Sequence, residues 1–377
     1  MSESKKVAIF LRDLGLGGVE RCAVLVGEGL AAQGFEVTLV LLGGSRNLWA
    51  SRIKNIKVLD LSSQWQPLKP LTWLAGWRAA RQVVREHDVL IAGTFLLPLY
   101  MAYAASLGLG KRVLGWVHGP FYELDAFARM NVVHRRACQF VYRRLKELVF
   151  VSEHARTSMA RWLEQAPSAS WQVLPNFVDA QQGLLPRIER EAGAPLRLLF
   201  VGRIAEEKQP QLWLDTLVAL NMQGVAAQLT IVGDGPLEAD LQAAVQDRRL
   251  TSQVVFAGRR ENVGEYLANA DVLLLTSGFE GCPLVVLESM PIGLLVASTN
   301  AGGVYELFGD GSNSRRDDFV VPEATGEALA RLIVRQQGQR QLLQNFLQQR
   351  AAHYSQARIL QQWAHLLAPT QPSSESL

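Results

Sequence analysis

Three short segments carry residue types and spacings suited to an anionic, hydroxyl-bearing ligand. Gly15-Leu-Gly-Gly-Val-Glu20 follows an apolar run and opens a helical pattern. Glycines there let a backbone approach a ligand closely, and a helix start favours negative charge. A plain tight turn from strand to helix fits the same residues. As a dinucleotide fingerprint the segment is incomplete, because Glu20 replaces the third glycine and the next apolar run ends in Leu-Leu-Gly-Gly44. The second segment, Phe200-Val-Gly-Arg-Ile-Ala-Glu-Glu-Lys208, sets Arg203 and Lys208 five positions apart. A fixed cation pair suits a diphosphate, whose charge grows as a bond to it breaks. A surface pair neutralised by Glu206 and Glu207 is the plainer alternative. The third, Gly278-Phe-Glu-Gly-Cys-Pro-Leu-Val-Val-Leu-Glu288, separates Glu280 from Glu288 by seven residues. One carboxylate on a loop and one on the following helix can grip two hydroxyl-bearing parts of one ligand; helix capping or solvated charge is the ordinary alternative.

The elements that must position these residues alternate regularly. Residues 7–11, 35–42, 56–59, 89–92, 113–117 and 148–151 read as strands, with helices over 18–33 and 71–86. The strands are continuous apolar runs, as expected when helices cover both faces of a parallel sheet. Residues 175–195 loosen into a linker; strands then restart at 196–201, 228–232, 254–257, 272–275 and 294–297, and the chain is helical from 326. Two doubly wound α/β units in series follow, with the cleft between them as the expected ligand site. The uncharged stretch 89–110 is long enough to span a bilayer, but its Gly93-Thr94 and Pro98 divide it into a buried strand and a buried helix over 97–107. Residues 369–377 form a polar tail rich in Ser.

Composition narrows the function classes. With 377 residues, 49% of them apolar, the chain is a globular protein long enough for two domains. A net charge of +3 implies no global nucleic-acid-binding field. Cys22, Cys138 and Cys282 are far apart, with neither disulfide-framework nor zinc spacing, and the N-terminus lacks a signal-peptide pattern, so a cytoplasmic location is expected. Cys282 is read as a small apolar filler, not a nucleophile.

Taken together and in order, these segments resemble the retaining glycosyltransferase family 4 of the GT-B superfamily. Gly17-Gly-Val-Glu, Phe200-Val-Gly-Arg with Lys208, Ile231-Val-Gly-Asp-Gly-Pro236, Phe256-Ala-Gly and Phe279-Glu-Gly-x-Pro-Leu with its E-x7-E spacing carry the likeness across almost the whole chain. The resemblance implies a GT-B fold of two Rossmann-like domains facing a central cleft: residues 1–178 on the acceptor side, 179–355 binding a nucleotide sugar, and 356–377 returning as a helix to the first domain. It implies that Arg203 and Lys208 hold the donor diphosphate, with Gly202 beside them. Glu288 would bind ribose, and Glu280 the transferred sugar at the reaction centre. Gly281, Cys282, Pro283 and Leu284 would line sugar or phosphate. His118 would reach the sugar from the first domain, where Gly17 and Gly18 would lie near the phosphates; a His at a strand end is otherwise commonly structural. The segment Met290-Pro-Ile-Gly293 departs from the family pattern by placing proline before glycine, which leaves the end of the Glu288 helix open.

The implied activity is transfer from a UDP- or GDP-sugar to a glycan or lipid-linked acceptor in surface polysaccharide or lipopolysaccharide assembly. No cofactor is implied, and no metal, since no Asp-x-Asp triplet occurs. The alternatives are a nucleotide-sugar epimerase and an inactive module that binds nucleotide or partners. Finally, Arg129, Arg136 and Arg143 recur every seven residues in an expected helix over 126–146. Such a stripe could rest on an anionic inner membrane face, or be a solvated face.

Overall fold

A computed structural model of the chain describes residues 5–15, 17–44, 47–64, 70–179, 185–191, 193–260, 262–309 and 314–368; the tail over 369–377 lies outside them. The chain divides into two compact units, Met1–Pro175 with Ala357–Leu377, and Asn176–Gln356.

In the first unit seven parallel strands are ordered β3-β2-β1-β4-β5-β6-β7. They are β1 (Lys6–Leu11), β2 (Glu36–Leu41), β3 (Lys57–Asp60), β4 (Val89–Ala92), β5 (Arg112–Val117), β6 (Glu147–Phe150) and β7 (Trp171–Val173). The order reverses at β1, the signature of a doubly wound sheet. Val7, Ala8, Ile9, Phe10 and Leu11 are completely buried, which is why the run is apolar on both faces. At the sheet edge β3 is exposed along its length, so its side chains need not be apolar throughout. The uncharged stretch resolves into β4 and helix α3 (Leu97–Ser106), both packed inside this unit. Among the described residues no helix is long and apolar enough to cross a membrane. The last helix of the chain (Gln356–Leu367) packs on this unit, with Trp363 4.8 Å from Trp116 between ring centres.

One expected element is corrected. Residues 126–146 do not form one helix but two, α4 (Phe121–Ala128) and α5 (Val132–Tyr142). Arg129 stops α4 in a left-handed conformation, φ 48°, and the Asn131 side chain caps α5 by accepting from the Val133 amide at 2.8 Å. Asp125 fixes the break by accepting from the Met130 amide at 3.1 Å and from the Trp162 indole at 2.8 Å. Periodicity alone ran across this junction because Phe127, Met130, Val133 and Phe140 recur at helical spacing on either side of it, although Phe127, Val133 and Phe140 are exposed. The arginine stripe is accordingly broken, and the Arg143 guanidinium is tied to the Leu163 carbonyl at 2.8 Å.

The second unit holds six parallel strands ordered β10-β9-β8-β11-β12-β13. These are β8 (Leu196–Val201), β9 (Ala227–Val232), β10 (Val254–Gly258), β11 (Val272–Leu275), β12 (Leu295–Thr299) and β13 (Val320–Val321). The sheet reverses its order between β8 and β11, and loops at the carboxyl ends of those two strands are where ligands bind in such folds.

Candidate active site

The loops after β8 and β11 carry Arg203, Lys208 and Glu280, and the structure brings Lys208 and Glu280 together. The Lys208 ammonium lies 2.5 Å from Glu280 Oε1, which also accepts from the Ser277 hydroxyl at 2.7 Å. Both charged side chains are mostly buried, 21% and 15% exposed, so solvent screens the pair weakly.

Backbone stitching holds this arrangement. The Gly278 amide donates to the Glu207 carbonyl at 2.8 Å, and the Thr276 hydroxyl donates to the Lys208 carbonyl at 2.6 Å. Thr276 in turn accepts from the buried Trp213 indole at 2.6 Å. Glu280 is clamped through its own backbone, donating to Ala301 at 2.8 Å and accepting from Gly303 at 3.2 Å. Four sequence segments are thus joined around the Lys208–Glu280 pair.

Arg203 is 66% exposed and pairs with Glu207 at 2.5 Å. The surface pairing considered from sequence is therefore present, and its partner is Glu207. Burial would push the Glu207 carboxyl up, but the Arg203 guanidinium, its own backbone amide and Lys208 outweigh this and hold it below the usual carboxylate range. The loop carrying Arg203 is fixed from below by Ile231-Val-Gly-Asp-Gly-Pro236. Ile204 donates to Asp234 at 2.8 Å and Leu237 to Ile204 at 3.1 Å. Gly233, at φ 140°, admits no side chain, since a Cβ there would lie 1.9 Å from the Gly202 carbonyl oxygen. That contact gives the segment a physical role that its spacing did not disclose.

Glu288 sits in the short helix α10 (Leu284–Ser289) and is buried, 4% exposed. The departure at Met290-Pro-Ile-Gly293 closes this helix cleanly. Gly293 turns left-handed, φ 63°, and Leu294 donates to the Ser289 carbonyl at 3.0 Å, so Glu288 stays within helical structure. Cys282 is buried and is not part of a disulfide. Its carbonyl accepts from Asn176 Nδ2 at 2.7 Å, which anchors the loop of Gly281, Cys282, Pro283 and Leu284. Asn176 was missed from sequence; the pair is 106 residues apart, and no local spacing signals it.

The remaining sequence-derived residues belong to the first unit. Gly17 caps α1 (Gly18–Ala31) with extended backbone, and a Cβ on it would lie 2.0 Å from Glu20 Oε2. The Glu20 carboxylate therefore folds back over the helix start, and burial raises its pKa. His118 follows β5. Its ring lies 4.4 Å from that of Trp116, and its Nε2 is buried with no hydrogen-bond partner among the described residues. Burial lowers its pKa to about 3, against a weaker opposing hydrogen bond with the Gly93 backbone, so the ring is neutral near pH 7.

That neutrality has a measurable consequence. The unfolded chain binds the His118 proton below its ordinary pKa of 6.5, whereas the folded chain waits until about 3. Stability from this group is complete above pH 6.5 and falls away as pH drops toward 3, by up to about 1.4 kcal/mol per pH unit. The difference in urea midpoint between pH 5 and pH 7 should therefore shrink in His118→Gln. An unchanged difference would mean the ring is not held neutral by burial.

The sheet order, the loops at the carboxyl ends of β8 and β11, and the all-parallel strands define an α/β GT-B fold. Residues 16–182 match the family model described as Glycosyltransferase Family 4, and residues 195–337 match that described as Glycosyl transferases group 1. The chain belongs to glycosyltransferase family 4. It is 31% identical over 299 residues to the Vi polysaccharide biosynthesis protein VipC/TviE of Salmonella typhi, covering 75% of this chain and 49% of that protein. It is 34% identical over 149 residues to the amylovoran biosynthesis glycosyltransferase AmsK of Erwinia amylovora, covering 37% of this chain and 36% of that one. The chain thus spans between a third and a half of the length of these two curated relatives. Among solved structures, Anabaena Alr3699/HepE in complex with UDP and glucose superposes with a TM-score of 0.79 at 18% identity, over 97% of this chain and all of that one.

Proposed function

We propose that the protein is a retaining, metal-independent hexosyltransferase that uses a UDP- or GDP-sugar to extend a glycan or lipid-linked acceptor in cell-surface polysaccharide assembly. The observation that carries the reading is the Lys208–Glu280 pair, a cation for the diphosphate and a carboxylate for the sugar at one strand edge. Arg203 adds the second cation for the diphosphate. Buried Glu288 takes the ribose hydroxyls, and the backbone from Gly281 to Leu284 lines the donor. Gly202 lets the chain pass close to the phosphates, and from the first unit Gly17 and Gly18 do the same. Neutral His118 offers its Nε2 to a sugar hydroxyl as an acceptor, not as an acid. The UDP and glucose bound by Alr3699/HepE, and the polysaccharide pathways named for the relatives, support this donor and acceptor class.

A thermal-shift screen against UDP, GDP, ADP and their sugars tests it, because a ligand that binds only the folded state raises the melting temperature. Stabilisation by one UDP- or GDP-sugar is expected. Stabilisation without release of the sugar would favour the inactive module, and a sugar returned to its nucleotide with one centre inverted would favour the epimerase.

The acceptor side works at the inner face of the cytoplasmic membrane. Phe127, Val132, Val133 and Phe140 are exposed around α4 and α5, with Arg129 and Arg136 beside them. An apolar and basic surface of this kind binds anionic lipid. Replacing Arg129 and Arg136 by Gln should abolish salt-sensitive binding to anionic vesicles while leaving donor hydrolysis intact. Vesicle binding that survives the double substitution would return this surface to a solvated one.

A further inference from the structure

At the amino ends of the strands in the second unit, away from Lys208, one carboxylate is surrounded by four guanidinium groups. Asp271, wholly buried just before β11, lies 3.3 Å from Arg187, 3.3 Å from Arg190, 3.1 Å from Arg197 and 3.0 Å from Arg340. Its charge cancels one of the four. Glu189 also acts on Arg187, but it is exposed and its effect is weaker than that of Asp271. Burial foremost, and then the neighbouring Arg340 and Arg197, depress Arg187 to about 10 against the opposing pull of Asp271.

Two features turn the excess toward a ligand. Arg187 is locked, its side chain 9% exposed and bonded to the Gly293 and Ala270 carbonyls. Its Nε is nonetheless buried without a hydrogen-bond partner among the described residues. The other three reach solvent, at 24%, 26% and 27% exposure, and Arg340 uses only one nitrogen on Asp271. Arg340 is also the first residue of α13 (Arg340–Ala351), where the helix dipole is itself positive.

We propose that the Arg187, Arg190, Arg197 and Arg340 cluster is a binding site for a small divalent oxyanion of the sulfate or phosphate class. The ion accepts from the forks that Asp271 leaves unused and ties Arg187, Arg190 and Arg197 to the start of α13. This site is separate from the transfer reaction and does not depend on the reading of the donor loops.

The test is thermal unfolding of the full chain while sodium sulfate replaces sodium chloride at constant ionic strength, in the parent, Arg340→Gln, Arg190→Gln and Lys208→Ala. The parent's melting temperature should rise saturably, by roughly 2 to 4 °C. Half-saturation should move to at least about tenfold higher sulfate in both arginine variants, as expected for one lost charge-assisted hydrogen bond. Lys208→Ala should respond like the parent. Should Arg340→Gln fail to fold, Arg340→Lys, which keeps the charge but not the fork, takes its place with the same expectation. A response lost in Lys208→Ala but kept in the arginine variants would assign the ion to the donor loops and overturn the proposal. An equal response in all four proteins would overturn it as a general salt effect.

Discussion

Lys208→Ala and Arg203→Ala should each lower kcat by about a hundredfold to a thousandfold, or roughly 3 to 4 kcal/mol, while the protein stays folded. As the sugar leaves, negative charge accumulates on the distal phosphate oxygens, and a cation fixed beforehand stabilises that charge without reorganising. Only an interaction that strengthens between bound donor and transition state raises kcat, so the loss should appear in turnover more than in donor affinity. Folding survives because what the surrounding loops need from residue 208 is its carbonyl, held by Thr276, and because Arg203 is 66% exposed. Circular dichroism and steady-state kinetics on both variants check this. Parental turnover in both would remove them from leaving-group stabilisation.

The second large effect concerns Glu280. In the structure Lys208 is already neutralised by Glu280 at 2.5 Å, so an incoming diphosphate competes with that carboxylate. On the proposed function, binding would exchange one anion for another at Lys208 and release Glu280 toward the sugar. Glu280→Gln should therefore cut turnover at least about a hundredfold, as for loss of one electrostatic contact at the reaction centre. The same substitution should tighten nucleoside diphosphate binding about threefold to tenfold, because it removes the competitor. Glu288→Ala should do the opposite, weakening nucleotide binding more than it slows turnover. Calorimetric titration with UDP or GDP separates the two. Weaker nucleotide binding in Glu280→Gln would show that Glu280 holds the nucleotide instead of contending with it.

The carboxyl-edge loops were legible from sequence because each is a contiguous string. Phe200 to Lys208 and Gly278 to Glu288 hold their chemistry within a dozen residues, and the strands before them are mostly apolar, with Arg197 the one charged residue in β8 and none in β11. What joins the strings was not legible. The Lys208–Glu280 and Asn176–Cys282 contacts bridge 72 and 106 residues, and the strand order of the sheet, not any local pattern, creates them. The Asp271 cluster is of the same kind, since Arg340 is 69 residues from its carboxylate. The split between α4 and α5 escaped for a different reason. Asn131 is an ordinary capping residue, but the apolar positions stay in phase on either side of it. The three-residue β7 was missed because Trp171–Val173 is too short to establish any period. Its place in the sheet comes from pairing with β6, with Phe150 and Trp171 rings 5.3 Å apart.

Under the proposed function, this family 4 chain breaks a nucleotide-sugar bond with Lys208 as a fixed cation and without a metal. Single-turnover release of nucleoside diphosphate from the stabilising UDP- or GDP-sugar, measured in EDTA, tests it most directly. The parent protein should release the nucleotide at the same rate with and without EDTA, and Lys208→Ala should do so about a hundredfold to a thousandfold more slowly. Reversible loss of release on chelation, or equal rates in parent and variant, would contradict it.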